Sequence, residues 1–161
     1  MSFSNINISK VIPHAPSFRF VDKIISENSV DSSITAIVSF GQHLGVFSGH
    51  YPDEQIVPGV IVIEALSQCS ILCGHRFLST ASSIKYVHLT LEVQCKFKKT
   101  IHYTDDIILY SKIEQNIGNI SVFRVKAIDV KNNIVCASGK ITGIALTQPQ
   151  KNSKDEKAEN H

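Results

Sequence analysis

A chain of 161 residues with a hydrophobic fraction of 43% is long enough to bury the core of one domain and too short for two. Its net charge is only +2 and no Lys/Arg block occurs, which argues against a nucleic-acid partner. The first residues lack the basic and apolar segments of a signal peptide. The most apolar run, residues 57–73, is interrupted by polar residues and falls short of the ~20 apolar residues of a membrane span. We therefore expect a cytoplasmic protein without such a span.

Two segments in the first half of the chain have different periodicities. Within residues 32–40, the apolar residues Ile34, Ala36 and Val38 recur at every second position, which predicts a half-buried strand. Residues 60–78 are apolar on nearly every side in their first half, which predicts a helix buried within the domain. Pro58 and Gly59 supply a sharp turn and the start of that helix.

The second half of the chain returns to the period of strands. Alternating apolar residues continue from Val87 to Phe97, and further strands are predicted over residues 107–114, 120–130 and 134–146. One long helix followed by such strands predicts an α+β domain over residues 1–147, with a bent antiparallel sheet of five to seven strands around the helix. Residues 148–161 have nothing to bury and are predicted to be a disordered tail.

Glu64 is the one charged residue in the apolar half of the predicted helix. Its helical neighbours Val60, Ile61, Ser67 and Gln68 include no cation, so no local salt bridge offsets the burial of a carboxylate. Such surroundings favour the protonated carboxyl, which can donate a proton near neutral pH. We expect this effect to outweigh the preference of a helix amino terminus for negative charge.

His50 and Gly59 supply the complementary chemistry. His50 lies in a Gly-His-Tyr-Pro turn among apolar residues, where a neutral imidazole can act as a base. Gly59 opens the helix, so its backbone N–H lacks an intrahelical acceptor and can polarise a carbonyl oxygen. A base, an acid and an oxyanion donor suit proton abstraction next to a thioester with loss of a β-hydroxyl. Val57, Pro58 and Tyr51 adjoin these groups, and we expect them to line the substrate site.

Three blocks of this sequence resemble the β-hydroxyacyl-acyl-carrier-protein dehydratases of the FabZ type. Residues 49–68 are similar to the family signature G-H-F-P-x-x-P-x-x-P-G-V, followed by apolar residues and E-A-x-A-Q, with the same 14-residue step from His50 to Glu64. Residues 12–23 resemble the family's L-P-H-R-x-P-F-L-L-V-D-R segment, and residues 95–105 resemble its A-R-F-R-R-P-V-x-P-G-D strand and turn. The matching signature positions are Gly49, His50, Pro52, Pro58, Gly59, Val60, Glu64, Ala65 and Gln68.

The resemblance implies a hot-dog fold, a long central helix wrapped by a bent antiparallel sheet. It also implies a dimer or a trimer of dimers whose active site takes His50 from one subunit and Glu64 from the other. His50 would be the base, Glu64 the acid, and the Gly59 N–H the donor to the thioester oxygen. The expected reaction converts a (3R)-3-hydroxyacyl chain on the phosphopantetheine arm of an acyl carrier protein to a trans-2-enoyl chain, with no cofactor and no metal. Glu64 favours a plain dehydratase over the related FabA-type dehydratase-isomerase, whose acid is Asp.

Five positions depart from the family pattern: Ala15, Gln55, Thr100, Tyr103 and Thr104 replace Arg, Pro or Gly. They predict an altered range of substrates with unchanged chemistry, as in a member that serves a polyene or polyketide-like pathway in place of bulk fatty acid synthesis. They also motivate one alternative, a dehydratase-like subunit that pairs with a different hot-dog partner.

A hot-dog acyl thioesterase is the second alternative, since a Glu on the central helix could activate water for attack on a thioester. The spacing of His50 and Glu64 and the Pro-Gly start of the helix argue against it.

The remaining candidates have structural explanations beside the functional ones. The four cysteines lie in apolar stretches and are interpreted as core thiols. Lys96, Lys98 and Lys99, with Arg76, could attract an acidic carrier protein, whereas the alternative is that the lysines protect a strand edge. His14 is interpreted as structural.

Overall fold

The computed structural model describes residues 6–78 and 86–147, and its strands form one six-stranded antiparallel sheet. Along the sheet the strand order is β1-β2-β4-β5-β6-β3. The predicted α+β architecture is therefore confirmed, whereas the predicted tail at 148–161 lies outside the described residues. The elements are α1 (Ile8–Val11), β1 (Lys23–Asn28), β2 (Ser33–Ser39), α2 (Leu44–Phe47), α3 (Gly59–Leu78), β3 (Tyr86–Phe97), β4 (Asp106–Ile117), β5 (Ile120–Asp129) and β6 (Ile134–Thr147), with 3₁₀ turns at Pro16–Phe18 and Phe40–His43.

The core lies between α3 and the sheet face formed by β2, β4 and β5. Strand β2 places Ile34, Ala36 and Val38 in this core, as its alternation predicts. Register shifts interrupt four of the five strand pairings, and such bulges bend a strand and increase its twist. They allow one sheet to curve around a single helix.

Helix α3 begins at Gly59, because Pro58 precedes it and the carbonyl of Pro58 accepts the first hydrogen bonds of the helix, from Ile61 and Val62. By length and composition α3 could cross a membrane, contrary to the sequence-based expectation, although half of its most apolar window is buried in the domain. This burial is typical of a core helix in a globular domain.

Cys69, Cys73 and Cys136 are buried in the core, as the sequence predicts, whereas Cys95 is only partly buried. Cys69 and Cys73 lie on the buried side of α3, and burial raises the pKa of the Cys69 thiol and raises that of Cys73 to about 12. Both thiols therefore stay protonated at neutral pH. Among residues 6–78 and 86–147, no group of three or more His, Cys, Asp or Glu side chains is arranged to hold a metal ion.

Strand β3 lies at one edge of the sheet and presents large apolar side chains to solvent. Leu89 and Leu91 are each about half exposed, as is Phe97 at the end of the strand. The alternation in this segment predicted a strand, which is confirmed, and none of the described residues covers these side chains. An uncovered apolar edge strand is a typical site of association with another chain.

Candidate active site

Gln68 is the buried centre of the contacts around Glu64. Its side chain is fully buried one turn after Glu64 on α3, and its amide nitrogen donates to Glu64 Oε1 at 2.9 Å. The same nitrogen donates to the carbonyl of Phe18, and the amide oxygen accepts from the N–H of Phe20 at 2.7 Å. The Gln68 side chain thus fixes both the Glu64 carboxyl and residues 18–20. These residues belong to the amino-terminal segment that crosses α3, which is called the crossing segment below.

The crossing segment brings His14 to Glu64. His14 Nε2 lies 3.5 Å from Glu64 Oε1, and Arg19 Nη2 donates to the His14 carbonyl at 2.8 Å. The sequence interpretation of Glu64 considered only its helical neighbours and missed this long-range contact. The Glu64 side chain is 29% exposed, so it lies at the wall of an opening and is only partly buried.

His50 lies in the loop between α2 and α3. Its backbone N–H ends the short helix α2 by donating to Phe47, and its ring packs edge-on against Tyr51 at 4.3 Å between centroids. Tyr51 has a φ of +51°, a left-handed conformation that is uncommon outside glycine. The Nδ1 atom of His50 is buried and has no hydrogen-bond partner among the described residues.

Two backbone hydrogen bonds hold the loop at its carboxyl end. Val57 N–H donates to Ile101 at 2.9 Å, and Tyr103 N–H donates to Gln55 at 3.1 Å. These bonds join two of the three blocks that carry the sequence resemblance, and they fix the approach to Gly59.

The Gly59 N–H makes no hydrogen bond to any described residue and adjoins a cavity of about 380 Å³. A Cβ at this position would lie 3.0 Å from the ring of Phe97, so glycine permits the ring to pack over the start of the helix. The cavity is lined by Ile56, Val57, Gly59, Val62, Phe97, Lys98, Lys99, Thr100 and Ile101. A free N–H at a helix start, facing a cavity, can stabilise negative charge on an oxygen.

A second cavity of about 380 Å³ lies between α3 and strands β3, β5 and β6. Ser67 and Ile71 line it, one and two turns after Glu64 and on the same side of the helix. His75 and His88 also line it, and partial burial lowers the pKa of both imidazoles. The cavity therefore extends from the vicinity of Glu64 along the helix with neutral walls.

The cations predicted to attract a carrier protein fall into two groups. Lys98 and Lys99 line the cavity at Gly59, and Lys96 is exposed on the adjoining strand. The Lys99 ammonium donates to Asp129 at 2.5 Å, and this contact, with the amide of Asn132, lowers the pKa of the Asp129 carboxyl. Arg76 pairs with Glu27 and lies 17 residues from Gly59, which is about 25 Å along the helix.

The structure places Val57, Pro58 and Gly59 together at the start of α3. No hydrogen bond or ion pair joins the side chains of His50 and Glu64 in the part of the chain that the structure describes. The two residues that the sequence interpretation did not assign to the site are Gln68 and His14. The i, i+4 spacing of Glu64 and Gln68 was the available signal for the first, and the resemblance of residues 12–23 was the signal for the second.

A long helix wrapped by one antiparallel sheet, with an imidazole on the loop before the helix and a carboxyl in its second turn, defines a hot-dog protein. Residues 26–140 match the model of a family described as ApeI-like, ApeI dehydratase. The 3-hydroxyacyl-[acyl-carrier-protein] dehydratase FabZ of Listeria welshimeri is 30% identical over 130 residues, which are 80% of this chain and 87% of that protein. The chain belongs to this family of dehydratases, as the resemblance predicted.

Solved structures share the fold at low identity. The dehydratase heterocomplex ApeI:P from Xenorhabdus doucetiae superposes with a TM-score of 0.68 at 13% identity, over 95% of this chain and 97% of that chain. A thioesterase from Haemophilus influenzae superposes with a TM-score of 0.67 at 12% identity, over 91% and 93% of the two chains. These two likenesses confirm the hot-dog fold and carry no information on the reaction.

Proposed function

We propose that the protein removes water from (3R)-3-hydroxyacyl groups on an acyl carrier protein and forms trans-2-enoyl thioesters, in fatty-acid synthesis or a related polyene- or polyketide-type pathway. The setting of Glu64 carries the proposal. The groups that approach its carboxyl are the Gln68 amide and the His14 imidazole, and no Lys or Arg of the described residues forms an ion pair with it. A carboxyl without a fixed cation can hold the proton that a general acid must deliver.

In the proposed reaction His50 is the base and Glu64 the acid. The imidazole of His50 takes a proton from the carbon next to the thioester carbonyl, and the electron pair moves toward the carbonyl oxygen, which the Gly59 N–H stabilises. The pair then forms the carbon–carbon double bond while the carbon–oxygen bond to the β-hydroxyl breaks. Glu64 protonates the departing oxygen, and water leaves. His50 has gained one proton and Glu64 has lost one, so both return to their starting states through solvent.

Two observations support a site that is assembled from two chains. No hydrogen bond or ion pair joins His50 to Glu64 among the described residues, and the outer edge of β3 exposes Leu89, Leu91 and Phe97. We propose that a second hot-dog chain pairs along this edge, so that His50 of one chain faces Glu64 of the other. The partner would be a second copy, in a dimer or a trimer of dimers, or a different hot-dog subunit.

The two cavities fit the two parts of a carrier-bound substrate. The cavity at Gly59 would take the end of the phosphopantetheine arm, with Val57, Pro58 and Tyr51 at its approach. The cavity along α3 would take the acyl chain. Lys98 and Lys96 would attract an acidic carrier protein in the cytoplasm, whereas Lys99 is held by Asp129 and Arg76 is too distant for this role.

The proposal is tested by presenting 3-hydroxyacyl groups of several lengths on a carrier protein and recording mass spectra of the carrier. Loss of one water, with the acyl group retained and the absorbance of an enoyl thioester, is the expected result. Release of the free carrier thiol would contradict the proposal and indicate a thioesterase. Dehydration that begins only after a second hot-dog chain is added would assign the reaction to a heteromeric complex.

A further inference from the structure

We infer that His14 is a positioning residue for Glu64: as a neutral donor at Nε2 it holds Oε1 of the carboxyl, so that the proton to be transferred sits on Oε2. This inference rests on the proposed dehydration, which it resolves to individual atoms. The observations that carry it are the hydrogen bonds around Gln68 and the unequal surroundings of the two His14 nitrogens.

The amide of Gln68 has only one possible orientation. Because the N–H of Phe20 can only donate, the Gln68 atom that lies 2.7 Å from it is the oxygen. The other terminal atom is therefore the NH₂ group, which donates to Phe18 and to Glu64 Oε1 at 2.9 Å each. Oε1 accepts this hydrogen bond whether or not the carboxyl carries a proton.

The second carboxyl oxygen is left for the substrate. Oε2 of Glu64 makes no hydrogen bond to any described residue. A carboxyl whose Oε1 already accepts from a buried amide carries its own proton on Oε2. The oxygen that faces the β-hydroxyl in the proposed reaction is then the one that can release a proton.

The tautomer of His14 follows from its contact with Oε1 of Glu64. Nε2 lies 3.5 Å from Oε1, and two acceptors would repel each other there, so Nε2 carries a hydrogen. Nδ1 is buried without a partner among the described residues, and a proton on it would create a buried, unsatisfied donor. His14 is therefore neutral, with its hydrogen on Nε2. The separation is long for a hydrogen bond, as is common in catalytic sites before substrate binds.

A neutral His14 can hold the Glu64 carboxyl without favouring its ionised form. A permanent cation at this position would hold Glu64 ionised, and an apolar side chain would leave the carboxyl free to rotate and to exchange its two oxygens. The backbone of His14 is fixed from behind by Arg19, and its ring lies 5.7 Å from that of Phe18. The imidazole is therefore presented to Oε1 by a rigid segment.

The tautomer can be measured without any substrate, which separates this inference from the proposed function. In ¹⁵N NMR of protein labelled at histidine, the His14 signals are assigned by their loss in His14→Leu. We expect a protonated Nε2 and a bare Nδ1 for His14 at neutral pH, and a shift of the Nε2 signal in Glu64→Leu, where its acceptor is removed. A hydrogen on Nδ1, or on both nitrogens, would overturn the inference whether or not the protein dehydrates.

Kinetics test the consequence for the reaction. His14→Leu should lower kcat about 10- to 100-fold with little change in KM, because a misdirected acid slows the chemical step and leaves binding intact. His14→Gln retains an N–H donor and should recover most of the activity. His14→Lys adds a fixed cation and should move the alkaline fall of kcat to lower pH.

Lys10→Leu is the matched control, because Lys10 is exposed on the same amino-terminal segment and should leave kcat and its pH profile unchanged. Thermal unfolding of each variant checks that the fold persists, and His14→Asn replaces any variant that does not fold. Wild-type kcat in His14→Leu would overturn the inference, as would equal losses in His14→Leu and His14→Gln.

Discussion

The two halves of the proposed site are built to different degrees within one chain. On the Glu64 side, Gln68 and His14 hold the carboxyl, and Gln68 also fixes the backbone that crosses it. On the His50 side, no hydrogen bond from a described residue holds the imidazole, and Tyr51 has a left-handed backbone. The difference teaches that the acid is positioned by its own chain, whereas the base lies in a region that we propose a second chain completes.

The largest expected effect comes from removing either reacting group. Glu64→Gln and His50→Ala should each lower the rate of dehydration by about 10²- to 10⁴-fold, since each removes a general acid or base. Glu64→Asp should do less damage because it keeps a carboxyl and retracts it by one methylene. Rates are measured with a carrier-bound 3-hydroxyacyl substrate, and size and thermal unfolding check the fold. A folded Glu64→Gln protein with normal activity would show that the acid lies elsewhere.

Gln68→Leu should both release the Glu64 carboxyl and lower the free energy of unfolding. It leaves the buried N–H of Phe20 without an acceptor, which costs about 1–3 kcal/mol in the free energy of unfolding. It also releases Oε1 of Glu64, so kcat should fall. Gln115→Leu is the control, because Gln115 is exposed on β4, away from the proposed association edge. Equal unfolding free energies for the two variants in denaturant titrations would contradict the role of Gln68.

Gly74→Leu should restrict the cavity along α3. A Cβ at Gly74 already lies 3.4 Å from the ring of Phe123, so the larger side chain extends into the space proposed for the acyl chain. We expect kcat/KM to fall about tenfold or more for long chains and to stay unchanged for short ones. Gly74→Ala is the control, with helix propensity improved and the cavity nearly unchanged. A loss that does not depend on chain length would place the acyl chain elsewhere.

The smallest expected effect concerns attraction of the carrier protein. Lys98→Glu should raise KM for a carrier-bound substrate severalfold at low salt, with less effect at high salt, because exposed charges are screened. The same substrate on free pantetheine should show no change. Lys23→Glu makes the same charge change on β1, at the opposite edge of the sheet from β3, and should leave KM as in the wild type.

The periodicity of the sequence predicted most of the fold because the buried positions recur regularly. Helix α3 and the strands after it lie within a few residues of their predicted bounds. Strand β1 was not predicted, because in residues 23–28 only Ile24 and Glu27 are partly buried and no alternation marks the strand. The predicted apolar face of β3 was found, but its exposure could not be predicted, since it depends on which strand lies at the edge of the sheet.

The chemistry of the site was predictable as residue types and spacing, but not as contacts. Glu64 and His50 stand out through the signature, and Gly59 through its place at the start of the helix. The contact between His14 and Glu64 joins residues 50 positions apart, and it depends on how the amino-terminal segment crosses the helix. Local patterns carry no information on such a crossing, so an acid that was predicted to be buried and unpaired is partly exposed and held by two side chains.

The most direct test of the two-chain site is complementation between inactive variants. His50→Ala and Glu64→Gln proteins are mixed in equal amounts, unfolded and refolded together, and assayed for dehydration. If each site takes its base from one chain and its acid from the other, half of the dimers are mixed and each mixed dimer contains one intact site. The mixture should then regain about a quarter of the wild-type activity. A refolded mixture that remains as inactive as its two components, while wild-type protein treated in the same way recovers, would contradict the account.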